Sequence, residues 1–70
     1  MTAAGTGSAL VREATRRLQN AGVPDAARDA RHLFSFATGV DSSRLTLTLP
    51  EMVCDDVAAI FDALIVRRIA

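Results

Sequence analysis

The hydrophobic residues of this 70-residue chain have the spacing of α-helices in three separate stretches. Thr6 or Ser8 is placed to cap the first helix, and Gly22 is placed to end it. The second helix follows Pro24, with Asp25 as its predicted cap, and Gly39 ends it. The predicted buried stripes of these two helices are Leu10, Val11, Ala14, Leu18 and Ala21, and then Ala26, Ala27, Ala30, Leu33, Phe34 and Ala37.

The third helix is predicted to start near Cys54, with Asp55 and Asp56 in its first turn, where they complement the positive end of the helix dipole. Val66 and Ile69 fall outside its buried stripe, so we expect another surface to cover them. No stop signal precedes the last residue, which favours a longer parent protein. The predicted buried stripe is Val57, Ile60, Phe61, Leu64, Ile65 and the stem of Arg68.

The segment between the second and third helices allows two interpretations. Residues 45–49 alternate Leu and Thr, which is the period of a strand. Every other segment is predicted to be helical, so a lone strand would leave its backbone groups unpaired. We therefore predict a short helical turn capped by Asp41, with Leu45 and Leu49 stacked one turn apart and Pro50 ending it.

The predicted fold class is all-α: a small orthogonal bundle of three main helices with one or two short helical turns near residues 41–52. Residues 1–7 show no periodicity and are predicted to be a disordered tail, so the bundle spans residues 8–70. The predicted centre of the core is Leu18, Leu33, Phe34, Leu45, Phe61 and Leu64.

Composition excludes several classes of function. Eight basic and eight acidic residues give a formal net charge of +0, so no overall field attracts nucleic acid or anionic lipid. The single cysteine cannot form an internal disulfide, which fits a reducing compartment. The N-terminus lacks an apolar signal region, and no stretch is long enough to span a membrane. We expect a cytoplasmic protein.

The residues that could suggest catalysis form weak patterns. Gly5-Thr6-Gly7 lacks the third glycine and the preceding strand of a dinucleotide-binding loop. His32 has Asp29 and Ser35 three residues away on either side, but spacing on one helix does not orient a catalytic triad. His32 is instead predicted to lie on the outer face beside Phe36.

Metal and cofactor sites are not expected within the chain. Cys54 has no second cysteine, and only one histidine is present, which excludes a zinc site. Asp55 and Asp56 point about 100° apart on a helix, so helix capping is preferred over paired acid–base chemistry. We predict no catalytic, cofactor-binding or metal-binding residue here.

Two arginine doublets, Arg16-Arg17 and Arg67-Arg68, are the candidates for contact with a partner or another domain, since arginine is enriched at interfaces. The predicted contact residues are Arg16, Arg17, Val66, Arg67, Arg68 and Ile69. A helix-turn-helix DNA reader is a weaker alternative, because Arg28 and Arg31 share their helix with Asp25 and Asp29.

A series of short motifs, in order along the chain, resembles the N-terminal domain of the HemK/PrmC family. The resemblance covers nearly all of the chain from Leu10 onward. The motifs are Leu10-Val11-Arg12-Glu13-Ala14 with Leu18-Gln19, Ala27-Arg28-Asp29-Ala30-Arg31 leading through Leu33-Phe34 to Thr38-Gly39, Leu45-Thr46-Leu47 with Pro50, and Phe61-Asp62-Ala63-Leu64 leading to Arg67-Arg68. Phe36 and His32 depart from the family's usual histidine and aliphatic residue at those positions.

The resemblance implies a helical domain that precedes a Rossmann-like methyltransferase domain in the same polypeptide. That catalytic domain would bind S-adenosylmethionine and methylate the glutamine of the Gly-Gly-Gln motif in peptide chain release factors. The helical domain is implied to recognise the release factor. Neither the family's catalytic Asn-Pro-Pro-Tyr motif nor its glycine-rich cofactor loop occurs in these 70 residues, so the chain alone is not expected to be an enzyme.

A second hypothesis is a free-standing helical adaptor or regulator that associates with itself through Val66 and Ile69. It requires no methyltransferase domain. The next stretch of coding sequence would distinguish it from the first hypothesis.

Overall fold

Four helices form most of the structure, a computed structural model that describes residues 5–70, and they confirm the all-α class. Two two-residue strands join residues 5–6 to the segment before the last helix. The elements are β1 (Gly5–Thr6), α1 (Gly7–Asn20), α2 (Ala26–Thr38), a 3₁₀ helix (Ser42–Arg44), α3 (Leu45–Thr48), β2 (Met52–Val53) and α4 (Asp55–Ile69).

The glycine stops of α1 and α2 are confirmed. Gly22 has a φ of 81°, and the amide of Val23 donates to the carbonyl of Leu18 at 3.0 Å, the long hydrogen bond of a Schellman motif. Gly39 has a φ of 74° and donates its amide hydrogen to the carbonyl of Ser35 at 2.9 Å. Both positions need the left-handed conformation, which glycine adopts without steric cost.

Asp25 and Asp41 precede helices as predicted, but their side chains do not cap them. The backbone of Asp25 is left-handed, with a φ of 53°. A capping side chain works from an extended backbone, so within the described residues the Asp25 carboxylate forms no capping hydrogen bond. At the 3₁₀ helix, the backbone carbonyl of Asp41, rather than its side chain, accepts from the Arg44 amide at 2.9 Å.

The segment that allowed two interpretations is helical, which confirms the predicted turn. Leu45 is buried, and its carbonyl accepts a hydrogen bond from the Leu49 amide at 3.0 Å. Leu49 is partly buried against the core, one turn after Leu45. Pro50 has no amide hydrogen with which to continue the helix, and it lies in the turn that follows.

The N-terminal strand is the part of the fold that the sequence pattern did not indicate. Gly5 pairs with Val53 and Thr6 with Met52 in an antiparallel register. The predicted disordered tail is therefore wrong for its last three residues, which lie in β1 and at the start of α1. Its first four residues lie outside the described part of the chain.

Free amide groups at the start of α1 explain this pairing. The first amides of a helix have no acceptor within it. Here Gly7 donates to the carbonyl of Glu51 at 3.0 Å, and Ser8 donates to that of Leu49 at 2.8 Å. The Thr6 hydroxyl accepts from the Ala9 amide at 3.2 Å, as predicted for the cap. The chain before α4 thus provides the remaining acceptors.

The core lies where α2 packs against both α1 and α4. The rings of Phe34 and Phe61 meet edge to face, with centroids 5.1 Å apart and planes at 79°. Four of the six residues predicted for the core centre are confirmed as buried: Leu18, Phe34, Leu45 and Phe61. The whole buried cluster is Val11, Ala14, Leu18, Ala26, Ala30, Phe34, Leu45, Val53, Phe61 and Ile65.

The rotation of α4 differs from the prediction. Phe61 and Ile65, one turn apart, face the core, so the residues that precede them, Ile60 and Leu64, lie about 100° away at its edge. Ile60 is 50% exposed, and Leu64 is half-buried outside the buried cluster.

Three smaller corrections concern α1, α2 and their junction. Ala21 and Ala27 are exposed rather than buried. Ala21 is the residue that caps the C-terminus of α1, and Ala27 lies about 100° from the buried Ala26. Leu33 is partly buried against the cluster rather than at its centre.

The aromatic pair gives the first prediction. Replacing Phe61 by Ala should lower the free energy of unfolding by about 3 to 5 kcal/mol, because a buried ring is lost and a cavity remains. Urea denaturation of the chain measures this. Ile60→Ala, one residue earlier on the exposed edge, is the matched control and should cost far less. Equal effects of the two substitutions would contradict the assigned core.

Gly7 gives the second prediction, because an added methyl group would be in unusually tight contact there. An added Cβ would lie 3.0 Å from the Phe34 ring and 3.1 Å from the backbone oxygen of Leu49. Gly7→Ala should therefore destabilise the fold by about 1 to 3 kcal/mol by overpacking. Thermal unfolding measures the change. A higher melting temperature for Gly7→Ala would show that helix propensity outweighs the close contact.

Candidate functional site

Two of the three residues considered for a catalytic triad, Ser35 and Asp29, are engaged in other contacts. The hydroxyl of Ser35 donates to the carbonyl of Val40, and the carboxylate of Asp29 accepts from Arg68 Nε at 3.0 Å. His32 is exposed. These three groups are therefore not arranged as nucleophile, base and orienting acid. Between residues 5 and 70, no three His, Cys, Asp or Glu side chains are grouped to hold a metal ion.

The other motifs noted in the sequence lie at the starts of helices. The Thr6 hydroxyl caps α1, as described above, and Cys54 is an exposed free thiol immediately before α4. Asp55 and Asp56 occupy the first turn of α4 as predicted. None of the helices in residues 5–70 has the length and apolarity needed to cross a membrane.

Two of the predicted contact arginines form ion pairs between helices. Arg17 on α1 forms an ion pair with Asp62 on α4, with 2.6 Å between Nη1 and Oδ1. Arg68 on α4 pairs with Asp29 on α2 at 3.0 Å. Both pairs are partly exposed, so each contributes about 0 to 1 kcal/mol. Their guanidinium groups already have carboxylate partners within the domain.

The other four predicted residues are more open to solvent. Arg16 makes a loose 3.6 Å contact with Glu13 in the same helix. Arg67 is exposed and forms no ion pair with any described residue. Val66 is 49% exposed and Ile69 is 38% exposed, which places them away from the core as predicted.

An apolar surface, here called the α4 outer face, is formed by the exposed apolar residues of α4. Ala59, Ala63 and Val66 follow one another at intervals of four and three, so they share the side of the helix that faces away from Phe61 and Ile65. Ile60 lies at one edge of that side, and Ile69, four residues after Ile65, is exposed at the end of the helix. The sequence pattern predicts Val66 and Ile69 of this surface as exposed, but it predicts Ile60 in the core. The α4 outer face consists of Ala59, Ile60, Ala63, Val66 and Ile69, all exposed.

A second surface, here called the α2 basic hollow, lies between α2 and the 3₁₀ helix. It is a concavity of about 420 Å³. Arg28, Arg31 and His32 line it from one face of α2, and Ser42 lines it from the 3₁₀ helix. Ala27 and Leu45 provide its apolar part.

The α2 basic hollow concentrates positive charge in a chain of zero net charge. No carboxylate lines it. Neither Arg28 nor Arg31 forms an ion pair with another residue in the range 5–70. Arg28 and His32 also line an adjoining concavity that contains Asp25 and Asp29, and Asp29 is already paired with Arg68. The hollow is therefore suited to an anionic group.

Comparison with known proteins decides the family. The profile of the PrmC N-terminal domain matches residues 9–70, almost the whole chain. The chain belongs to the PrmC N-terminal domain family. The predicted resemblance to HemK/PrmC proteins is thus confirmed.

A release factor glutamine methyltransferase from Cereibacter sphaeroides is 45% identical to this PrmC N-terminal domain over 60 residues. The alignment covers 86% of this chain and 22% of that protein. The chain therefore spans about a fifth of the length of the curated relative it matches. No solved structure matches it significantly.

The α2 basic hollow of this PrmC N-terminal domain is not among the contact sites predicted from the sequence. In sequence, Arg28 and Arg31 suggest only the weaker alternative of DNA binding, because they share their helix with Asp25 and Asp29. Asp29 pairs instead with Arg68, 39 residues away, so one of these two aspartates is already neutralised by another arginine. The available signal was the spacing of Arg28, Arg31 and His32, which places all three on one helix face.

Proposed function

We propose that this PrmC N-terminal domain is the release-factor recognition domain of an S-adenosylmethionine-dependent methyltransferase. The enzyme methylates the glutamine of the Gly-Gly-Gln motif in peptide chain release factors, in the cytoplasm. The family match over residues 9–70 carries this proposal, and the name of the Cereibacter relative supports the reaction. S-adenosylmethionine binds in the catalytic domain of the same polypeptide, and the present chain contributes substrate affinity.

The α4 outer face supports a contact with the enzyme's own C-terminal methyltransferase domain. Exposed apolar stripes of this kind are typical of interfaces rather than of free surface. Ile60, Val66 and Ile69 are between 38% and 50% exposed on one helix. In this arrangement the catalytic domain covers them, and Arg67 lies at the rim, where charged residues tolerate partial solvation.

This assignment leaves α2 available to the protein substrate. The α2 basic hollow is formed by α2, the 3₁₀ helix and α3, whereas the α4 outer face belongs to α4 alone. The two surfaces also differ in chemistry, one being basic and concave and the other apolar. A domain that holds the catalytic domain through one surface and the release factor through another would increase the local concentration of substrate.

A second candidate function is a free-standing adaptor that pairs with itself. The exposure of Val66 and Ile69 favours it, because a self-complementary apolar stripe can form a two-fold dimer. The two functions differ in what covers the α4 outer face: a catalytic domain in one and a second copy in the other.

Removing residues 1–70 from the full-length enzyme tests the recognition role. The truncated enzyme should keep its affinity for S-adenosylmethionine and its activity on a short Gly-Gly-Gln peptide. Its kcat/KM on intact release factor should fall by at least about tenfold, the equivalent of losing about 1.4 kcal/mol of binding. Methyl transfer from radiolabelled donor measures both substrates.

The peptide serves as the internal control, since a misfolded catalytic domain would lose activity on both substrates. The full-length variant Val66→Asp complements the truncation by weakening the interdomain contact without removing the domain. Undiminished methylation of intact release factor by the truncated enzyme would contradict the recognition role.

A further inference from the structure

We propose that the α2 basic hollow binds the carboxylates of an acidic segment of the protein substrate, with Arg28 and Arg31 as the binding groups. This inference rests on the proposed function and identifies the surface and the chemistry by which the domain recognises the release factor. It also moves the contact away from the arginine doublets that the sequence indicated.

Arg28 and Arg31 are placed to act on one anionic group. They are three residues apart on α2, so they project from the same face of the helix, and both line the hollow. A guanidinium group donates two parallel hydrogen bonds to a carboxylate, which makes arginine well suited to this recognition. Ser42 offers a hydroxyl from the opposite side of the hollow.

The other arginines provide a useful comparison. Arg17 and Arg68 bind Asp62 and Asp29, and Arg16 contacts Glu13, so their charges are partly neutralised within the domain. Arg28 and Arg31 have no such partner among residues 5–70 and share one concavity. A carboxylate from another molecule would provide the ion-pair partner that these two arginines lack within residues 5–70.

The shape and lining of the hollow suit a peptide side chain. Its volume of about 420 Å³ lies within the range of about 300 to 1,000 Å³ that is usual for binding pockets. Leu45 and Ala27 form an apolar part beside the arginines. A carboxylate bound there would be partly removed from water, which strengthens its attraction to the guanidinium groups.

The surroundings favour a protein over a nucleic acid. Phe36 lies one turn beyond His32 on α2 and is 75% exposed. Arginine together with an exposed aromatic ring is the composition of protein interface centres. The formal net charge of +0 lacks the overall positive field that phosphate backbones require for tight binding. An acidic segment that also carries an apolar residue would fit both the arginines of the hollow and the exposed ring of Phe36.

Charge reversal in the full-length enzyme tests this inference. Arg28→Glu combined with Arg31→Glu should raise KM for intact release factor by at least about tenfold, because the guanidinium contacts are lost and repulsion replaces them. Activity on the short Gly-Gly-Gln peptide should not change. Arg12→Glu, an exposed arginine of α1 without an ion pair in the range 5–70, is the matched control for Arg31→Glu and should behave like the wild type.

Salt and competitor measurements identify the chemistry of the bound group. Wild-type KM should rise with sodium chloride, and the doubly reversed enzyme should lose most of that dependence. A glutamate-rich peptide should inhibit methylation of intact release factor by the wild type but not by the double variant. A single-stranded oligonucleotide that competes at lower concentration than the peptide, and only with intact Arg28 and Arg31, would overturn the protein assignment.

The outcomes separate this inference from the proposed function. If truncation slows methylation of intact release factor but the doubly reversed enzyme matches the wild type, the α2 basic hollow is not the contact surface. If truncation has no effect, the recognition role itself fails. Arg28→Gln combined with Arg31→Gln provides a milder variant should charge reversal impair folding, and a KM equal to that of the wild type in this variant would also overturn the inference.

Discussion

The edge-to-face contact between Phe34 and Phe61 is the interaction on which the rest of the structure depends. It joins α2 to α4 with ring centroids 5.1 Å apart. The same Phe34 ring lies close to the start of α1, 3.0 Å from where a Cβ at position 7 would stand. Three helices therefore meet at one side chain. Because this contact fixes the inward faces of α2 and α4, it also determines which residues point outward and remain available to partners.

The parts of the fold that sequence analysis predicted correctly depend on local signals. Gly22 and Gly39 end helices by a backbone conformation that neighbouring residues do not affect, and Cys54 precedes a helix whose first turn is acidic. The strand pair was missed because it joins Gly5 to Val53 across most of the chain. Two-residue strands are also too short to show a period of two.

The candidate site was harder to predict than the fold, because it depends on which charges neutralise each other. Arg17 and Arg68 looked available in sequence, yet their carboxylate partners lie 45 and 39 residues away. Arg28 and Arg31 looked balanced by nearby aspartates, yet both line one concavity without any carboxylate, although Arg28 also borders the neighbouring concavity that contains Asp25 and Asp29. Helix periodicity predicts the face on which an arginine lies, but only the packing of several helices shows which carboxylates lie near it.

Hydroxyl-radical footprinting of the full-length enzyme tests the central claim, that this domain meets the release factor through α2. Phe36 on α2 and Met52 in β2 are 75% and 63% exposed, and both side chains react with the radical. Saturating release factor should slow oxidation of Phe36 and leave Met52 unchanged. Equal oxidation of Phe36 with and without release factor would contradict the account.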